Sequence, residues 1–251
     1  VKTVYHLGAC SSTTETNANY LLDNNYQYTR ELCEWCLGHG ARFVYASSAA
    51  TYGDGSQGYS DADTATPTLM PLNMYGMSKQ LFDLWALRTG VLGRIAGLKY
   101  FNVYGPGEDH KGDMRSVVHK AYHQIHETGA VKLFKSYRKD YRNGEQVRDF
   151  VYVKDAVDLT LFCGENPQAS GLFNCGTGQA RSWNDLAKAV FAAMKVEPRI
   201  EYIEMPVALR SKYQYFTQAE MGKIRAAGYA RAFTSLEDGI REYVQGCLAK
   251  N

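Results

Sequence analysis

The sequence lacks three features that would each define a class of protein. No apolar run approaches the roughly 20 residues that a membrane-spanning helix needs, and no basic start leads into an apolar stretch with a cleavage site. Neither sign of charge dominates, because 28 Lys and Arg stand against 26 Asp and Glu. A net charge of +2 gives no general affinity for nucleic acid. We therefore expect a cytoplasmic protein with neither a nucleic-acid partner nor a membrane partner.

Disulfides and metal sites are also not expected. The six cysteines are scattered through 251 residues that are 45% hydrophobic, enough to bury a core without covalent staples. Cys33 and Cys36 lie within one predicted helix and have no second cysteine pair, which favours packed thiols over zinc ligands. His119, His123 and His126 share a predicted helix face, but no clear carboxylate or cysteine completes a zinc set. We expect thiols in a reducing compartment and no metal.

Short β-branched or aromatic runs alternate with helical stretches in the first part of the chain. The predicted strands are VKTVYHLGA, RFVYASSAA and RIAGLKYFNVYGP, and the helices between them are YLLDNNYQYTRELCEWCLGHG and YGMSKQLFDLWALRTG. This alternation is typical of a parallel sheet with crossover helices. The sequence predicts an α/β fold with a doubly wound parallel sheet.

After Gly105 the chain turns polar and basic, and regular patterns return near residue 149. They comprise DFVYVKDAVDLTLFCGE and GLFNCGTG, then the helices SWNDLAKAVFAAMK and SLEDGIREYVQGCLA around the strand RIEYIEM. We expect a first domain over residues 1–104 and a small α/β second lobe over residues 105–251. Residues of about 149–182 are expected to return to the first domain.

The strongest chemical pattern joins a serine at a strand end to a tyrosine and a lysine on a helix. Ser48 ends RFVYASS, and Tyr75 and Lys79 stand one helical turn apart on the same face of the next helix. A free phenol has a pKa of about 10, and a nearby ammonium favours the phenolate. The pattern therefore predicts that Lys79 lowers the pKa of Tyr75, which acts as an acid/base while Ser48 holds the substrate oxygen.

These residues carry a family resemblance. Ser48 with Tyr75-x-x-x-Lys79, and the strings YASSAATYG, PLNMYGMSK and YFNVYGP, resemble the extended short-chain dehydrogenase/reductases that act on nucleotide sugars. The strings HLGACSSTTE, DNNYQYT, RDFVYVKD, HKG and YQYFTQA are similar to the ADP-heptose 6-epimerases within that superfamily. The resemblance spans nearly the whole chain. It implies a Rossmann-like domain for residues 1–104 and a substrate-binding lobe beyond it.

The resemblance also implies a reaction. Tyr75 and Lys111 would be the two acid/base groups on opposite faces of heptose C6, with Ser48 and Lys79 assisting Tyr75. The C6 hydroxyl would be oxidised to a 6-keto intermediate that takes the hydride back on its other face. The implied cofactor is NADP, with NAD as the alternative, and the implied substrate is an ADP-heptose used for lipopolysaccharide. Relatives also imply a homo-oligomer.

The family pattern assigns further residues by position. The expected cofactor-binding residues are Leu7, Gly8, Ala9, Cys10, Ser11, Asn24, Lys79, Val103 and Lys111. The expected substrate-binding residues are Asn102, Asp113, Lys120, Phe134, Lys135, Ser136, Arg148 and Tyr213. Arg148 would bind the pyrophosphate, whereas Arg138, Lys139 and Arg142 are expected to form a solvated basic face. Two positions depart from the pattern, because Asp113 replaces a serine and Lys120 stands where a histidine is expected.

One expected motif is absent. A dinucleotide-binding domain normally opens with a strand, a glycine-rich turn and a helix, and no G-x-G-x-x-G string occurs in these 251 residues. Against the family pattern the chain starts at about the fourth strand. From the sequence we expect that a longer gene encodes the missing part and that this polypeptide alone binds NADP poorly.

Two alternatives remain open at this point. One is another nucleotide-sugar enzyme, although Ala49, Ala50 and Thr51 follow Ser48 where a dehydratase usually has Asp-Glu, and a 4-epimerase would not need Lys111 as a base. The other is a non-catalytic remnant or scaffold, against which the joint presence of Ser48, Tyr75, Lys79 and Lys111 argues.

Overall fold

The computed structural model describes residues 1–210 and 213–250. Its contacts divide the chain into two compact units, each assembled from three segments. The first unit comprises Val1–Phe101, Ala156–Gly176 and Ala219–Arg231. The second comprises Asn102–Asp155, Thr177–Gln218 and the C-terminal segment from Ala232.

The strands are mostly short and match the β-branched and aromatic runs of the sequence. They are β1 (Thr3–His6), β2 (Arg42–Ser48), β3 (Ala96–Tyr100), β4 (Asn102–Tyr104), β5 (Val131–Phe134), β6 (Val147–Tyr152), β7 (Gly171–Cys175), β8 (Ala180–Ser182) and β9 (Ile200–Ile203).

The helices begin at polar capping residues in most cases. They are α1 (Ala18–Leu21), α2 (Tyr28–Gly38), α3 (Met74–Arg88), α4 (Val117–Thr128), α5 (Val153–Glu165), α6 (Trp183–Met194), α7 (Val207–Arg210), α8 (Gly222–Ala226) and α9 (Leu236–Gly246). A π-helical segment, Leu22–Gln27, joins α1 to α2. Short 3₁₀ helices are Ala49–Tyr52, Thr66–Thr68, Val91–Gly93, Asp109–Met114 and Leu248–Lys250. Five helix N-caps accept a backbone N–H through the side chain: Asn17, Asn73, Ser116, Ser182 and Ser235.

The first unit contains a four-stranded parallel sheet in the order β1-β2-β3-β7. Helices α2 and α3 cover one face, where Cys33, Phe43, Phe82 and other apolar side chains form a buried core. Helix α5 contacts the other face, where a Cβ on Gly164 would stand only 2.2 Å from the hydroxyl of Tyr5. The carboxyl ends of β1 and β2 therefore lie side by side at one edge of a covered sheet.

The second unit combines two small sheets with three longer helices. Strand β6 pairs with β4 in parallel and with β8 in antiparallel orientation, and β5 pairs with β9 in parallel. Its core is formed by buried side chains of α4, α6 and α9 packed with those of the strands.

The α/β class and the parallel sheet predicted from the sequence are confirmed. Two details of the predicted elements are wrong. The single predicted strand RIAGLKYFNVYGP is broken at Phe101, because β3 pairs in the first sheet and β4 in the second. Strand β5 was not predicted, although its partner β9 was. The first unit also includes residues 219–231, which the predicted boundaries of 1–104 and about 149–182 leave out.

Candidate active site

Ser48 and Tyr75 meet in the first unit, where the end of β2 faces the first turn of α3. Ser48 is the last residue of β2, and its Oγ accepts the Ala50 N–H at 3.1 Å. The Ser48 side chain is near enough to the Tyr75 phenol to lower its pKa by hydrogen bonding. Helix α3 can start this close because a Cβ on Gly76 would stand 2.8 Å from the carbonyl oxygen of Ala50. The fold thus brings the two side chains together.

The electrostatics of the tyrosine differ from the sequence-based prediction. Burial raises the pKa of Tyr75, and the hydrogen bond from Ser48 opposes that rise only in part. Lys79 lies one turn further along α3, and its Nζ donates to the carbonyl oxygen of Ala46 at 2.9 Å. Burial lowers the pKa of Lys79 to about 8, so its ammonium is only partly populated near that pH. The pKa of Tyr75 is therefore raised by burial and not lowered, in contrast to the direction expected from the sequence.

The segment Leu7–Ser11 follows β1 and presents open backbone at the carboxyl edge of the sheet. Leu7 is 51% exposed, and no atom lies within 4 Å of the position that a Cβ on Gly8 would take. The backbone N–H and carbonyl of Cys10 are both bonded to the Asn25 side chain at 2.9 Å. An accessible, held segment at this edge fits a nicotinamide cofactor, whose close approach needs backbone free of side chains.

Asn25 is a residue that the sequence reasoning missed. It is buried in the π-helical segment, and its Nδ2 also donates to Ser78 Oγ at 3.0 Å, while Ser78 Oγ donates to the carbonyl oxygen of Tyr75. Asn24, which was predicted to contact the cofactor, is half-buried and donates to the carbonyl oxygen of Tyr20. Since a π-helical turn shifts the helical register, spacing alone could not tell which asparagine turns inward.

Lys111 and Val103 belong to the second unit. Lys111 is exposed within the 3₁₀ segment Asp109–Met114, where Gly112 adopts φ 52°. The ends of this segment are fixed by Glu108, a buried residue whose carboxylate accepts the Ser116 N–H at 2.5 Å, the Ser116 hydroxyl at 2.6 Å and the Tyr243 hydroxyl at 3.0 Å. Glu108 thus fixes the backbone on either side of Lys111, while the Lys111 side chain itself is exposed to solvent.

The two positions that depart from the family pattern contact each other. Lys120 Nζ donates to the carbonyl oxygen of Asp113 at 2.6 Å. His119, the residue before Lys120 on α4, has its Nε2 3.1 Å from Asp109 Oδ1. Both contacts close the Asp109–Met114 segment onto α4. The His119 contact also lowers the pKa of the Asp109 carboxyl.

Four of the predicted substrate residues group around β5 and β6. Arg148 is 6% exposed, with its guanidinium carbon 5.2 Å from the Tyr213 ring centre and 5.6 Å from that of Trp183. The Phe134 and Tyr213 rings lie edge to face at 6.3 Å. Lys135 Nζ is paired with Glu204 Oε1 at 2.7 Å. An arginine between aromatic rings can bind both a base and a phosphate.

Ser136 and Asn102 contribute differently. The Ser136 N–H donates to Asn143 and its hydroxyl to the carbonyl oxygen of Arg138, so this serine shapes a loop. Asn102 is exposed at the start of β4.

Trp183 was missed as a functional candidate because a tryptophan at the start of a helix equally suits a core. Arg138 is exposed and paired with Asp140, in keeping with its expected place on a solvated face.

The six cysteines are free thiols. Burial raises the pKa of the Cys33 thiol to about 12, which makes it unreactive.

Within residues 1–210 and 213–250, no three His, Cys, Asp or Glu side chains form a potential metal site. No helix of the described part is both long and apolar enough to cross a membrane.

Comparison with known proteins identifies the family of this chain. The model of the NAD dependent epimerase/dehydratase family matches residues 1–176. The chain belongs to this family, and family membership supports a nicotinamide cofactor. The class of enzyme predicted from the sequence, an epimerase with a Rossmann-like fold, is confirmed.

Three similar proteins share one name within this family. A protein of Nitratidesulfovibrio vulgaris strain Hildenborough is 61% identical over 249 residues, covering 99% of this chain and 77% of the relative. One from Fusobacterium nucleatum is 48% identical, covering 100% and 78%. Both are named ADP-L-glycero-D-manno-heptose-6-epimerase. The Helicobacter pylori crystal structure of that name is 31% identical with a TM-score of 0.84, covering 99% of this chain and 73% of that one. The family resemblance inferred from the sequence is confirmed.

Proposed function

We propose that the protein interconverts the two C6 epimers of an ADP-heptose, with NADP as the cofactor. The observation that carries this proposal is the placement of Ser48, at the end of β2, beside the first turn of α3, the helix that carries Tyr75 and, one turn further, Lys79. The names of the close relatives supply the sugar. The 6-epimers would serve lipopolysaccharide synthesis in a bacterium.

A bound nicotinamide cofactor would supply the hydride acceptor and donor. The residues that we propose to hold it are Leu7–Ser11, Asn24, Lys79, Val103 and Lys111. Tyr75 would exchange a proton with the C6 oxygen, and its raised pKa means that the phenol is protonated near neutral pH. Lys111, an exposed side chain, would serve as the second acid/base. Ser48 would hold the reacting oxygen in line.

The ADP portion would be held by the second unit. Arg148, kept rigid by hydrogen bonds to the carbonyl oxygens of Val147 and Gln214, offers guanidinium N–H groups to a pyrophosphate. Phe134 and Tyr213 offer ring faces to the adenine. Asn102, Lys135, Ser136, Asp113 and Lys120 complete the proposed substrate set, and we expect a homo-oligomer. Residues 1–104 would form the cofactor domain and 105–251 mainly the substrate lobe.

The test is direct conversion of substrate. The chain is incubated with NADP⁺ and ADP-D-glycero-D-manno-heptose, and the ratio of 6-epimers is followed by proton NMR. We expect Tyr75→Phe and Lys111→Met each to lower kcat by about 10²-fold to 10⁴-fold, the usual contribution of a positioned acid or base. Tyr28→Phe and Lys188→Met, which change exposed side chains of the same types, should be neutral.

Two outcomes would contradict the proposal. Conversion that survives in both Tyr75→Phe and Lys111→Met would remove the acid/base assignment. Conversion of a 4-epimeric nucleotide sugar in preference to the ADP-heptose would move the protein to another member of the family.

A further inference from the structure

A pair of opposite charges is buried directly behind Ser48. Lys99 on β3 and Asp83 on α3 are both 0% exposed, with Lys99 Nζ 2.7 Å from Asp83 Oδ2. The pair lies beside the active strand end, because Lys99 is the register partner of Ser47 on β2. Buried charges are costly unless they are fully hydrogen-bonded, so their placement calls for a reason.

The carboxylate of Asp83 fixes α3 to the end of β2. Its Oδ1 accepts the Tyr45 hydroxyl at 2.8 Å, and its Oδ2 accepts the Ser47 hydroxyl at 2.7 Å in addition to Lys99 Nζ. Asp83 stands one turn beyond Lys79, as Lys79 stands one turn beyond Tyr75, so the three share a face of α3. One carboxylate therefore secures the helix that carries the tyrosine to the strand that carries the serine.

The ammonium of Lys99 reaches the turn that follows Ser48. It donates to Thr51 Oγ1 at 2.8 Å, and the Thr51 hydroxyl in turn donates to the carbonyl oxygen of Ser48 at 2.7 Å. Thr51 is 0% exposed, so water cannot replace either bond. The Thr51 hydroxyl donates its single proton to the Ser48 carbonyl and accepts from Lys99 through a lone pair, so both bonds can exist at once.

We propose that Thr51 is a positioning residue for Ser48, backed by the buried Asp83–Lys99 pair, and that it sets where Ser48 stands relative to the Tyr75 phenol. The inference rests on the proposed role of Tyr75 as acid/base. Thr51 touches neither Ser48 Oγ nor the phenol. It acts by holding the Ser48 carbonyl and the 3₁₀ turn Ala49–Tyr52, whose Ala50 N–H is bonded to Ser48 Oγ.

Isosteric substitution separates this role from packing. Thr51→Val keeps the shape and removes both hydrogen bonds, and Thr51→Ser keeps the hydroxyl. Thr160→Val is a matched control, because the buried Thr160 hydroxyl likewise donates to a backbone carbonyl, that of Ala156, and meets a second polar group, Tyr100. Thr160 lies on α5 and reaches Ser48 only through Tyr100, the register partner of Ser48 on β3, so Thr160→Val controls for general disturbance of this sheet edge.

The readout does not depend on turnover. Each chain is labelled with [¹³Cζ]tyrosine, the Tyr75 resonance is identified by its loss in Tyr75→Phe, and the phenol is titrated over the pH range in which circular dichroism shows a folded chain. Because the Ser48 hydrogen bond lowers the pKa of Tyr75, we expect Thr51→Val to raise it, with Thr51→Ser and Thr160→Val unchanged. With ADP-heptose and NADP⁺, kcat should fall about tenfold at constant KM in Thr51→Val alone.

Several results would overturn the inference. An unchanged Tyr75 titration in Thr51→Val, whatever its melting temperature, would leave Thr51 a packing residue. Equal shifts in Thr51→Ser or Thr160→Val would point to general loosening. Thr51→Ala repeats the test if the valine variant does not fold. A chain that shows the expected titration but no epimerisation would refute the proposed function and leave this inference standing.

Discussion

The two proposed acid/base groups are presented in opposite ways. Tyr75 is partly buried at a strand end and helix start, with hydrogen-bonded supports that include a buried ion pair. Lys111 is exposed in a short segment that is anchored only at its ends, through Glu108 and α4. Burial gives the first group a shifted pKa and fixed geometry, whereas exposure leaves the second free to adjust. The difference predicts that substitutions behind Tyr75 lower the free energy of unfolding more than substitutions at the anchor of the Lys111 segment.

The largest effect should come from breaking the buried pair. Lys99→Met leaves the fully buried Asp83 carboxylate without its cation, and such a change costs about 3–5 kcal/mol of unfolding free energy. Urea unfolding followed by circular dichroism measures it, with Lys188→Met as the exposed control. Adding Asp83→Asn should restore much of the loss, and a double variant no better than the single one would count against a charge-pair origin.

The next effect is a pH dependence that belongs to the first unit. Burial lowers the pKa of His6, which is 8% exposed, from 6.5 to about 4. Between those values the unfolded chain binds a proton that the folded chain does not, so stability should fall as pH drops from 6.5 towards 4, by about 3 kcal/mol. His6→Gln should flatten this part of the curve, and His126→Gln, on an exposed position of α4, should not.

A smaller effect is expected at the anchor of the Lys111 segment. Glu108→Ala leaves Ser116 and Tyr243 without their acceptor, which costs about 1–3 kcal/mol. Amide exchange in residues 109–114 should rise while that of α3 stays constant. Glu127→Ala on the exposed face of α4 is the control. Equal exchange rates in the parent and Glu108→Ala would mean that α4 alone holds the segment.

The smallest effect should appear at an exposed ion pair. Glu204 holds Lys135, and each shifts the pKa of the other in the direction that favours the charged pair. Glu204→Gln should leave stability unchanged but free Lys135 for a phosphate, raising the affinity for ADP by less than about threefold at low salt. Calorimetric titration measures this, with Glu201→Gln on β9 as control. A weaker affinity in Glu204→Gln would show that Glu204 itself helps to bind.

The sequence predicted those features of the fold and the site that depend on residues close together in the chain. The strand and helix alternation, the Ser48 strand end and the Tyr75-to-Lys79 helix turn follow from spacing and from N-caps such as Asn73. Three findings required contacts between distant residues. They are the change of sheet at Phe101, the pairing of β5 with β9, and the choice of Asn25 over Asn24. The direction of the Tyr75 pKa also depended on burial, which spacing does not reveal.

The π-helical segment Leu22–Gln27 also constrains how the gene can vary. A π-helical turn closes its hydrogen bonds from residue i to i+5, one residue more than an α-turn, so removing one residue here can give a regular α-helix. Leu21, Cys33 and Cys36, all buried, would then keep their faces. The extra residue instead serves Asn25, so we expect a single-residue deletion in this segment to leave the helix intact and to release the backbone of Cys10.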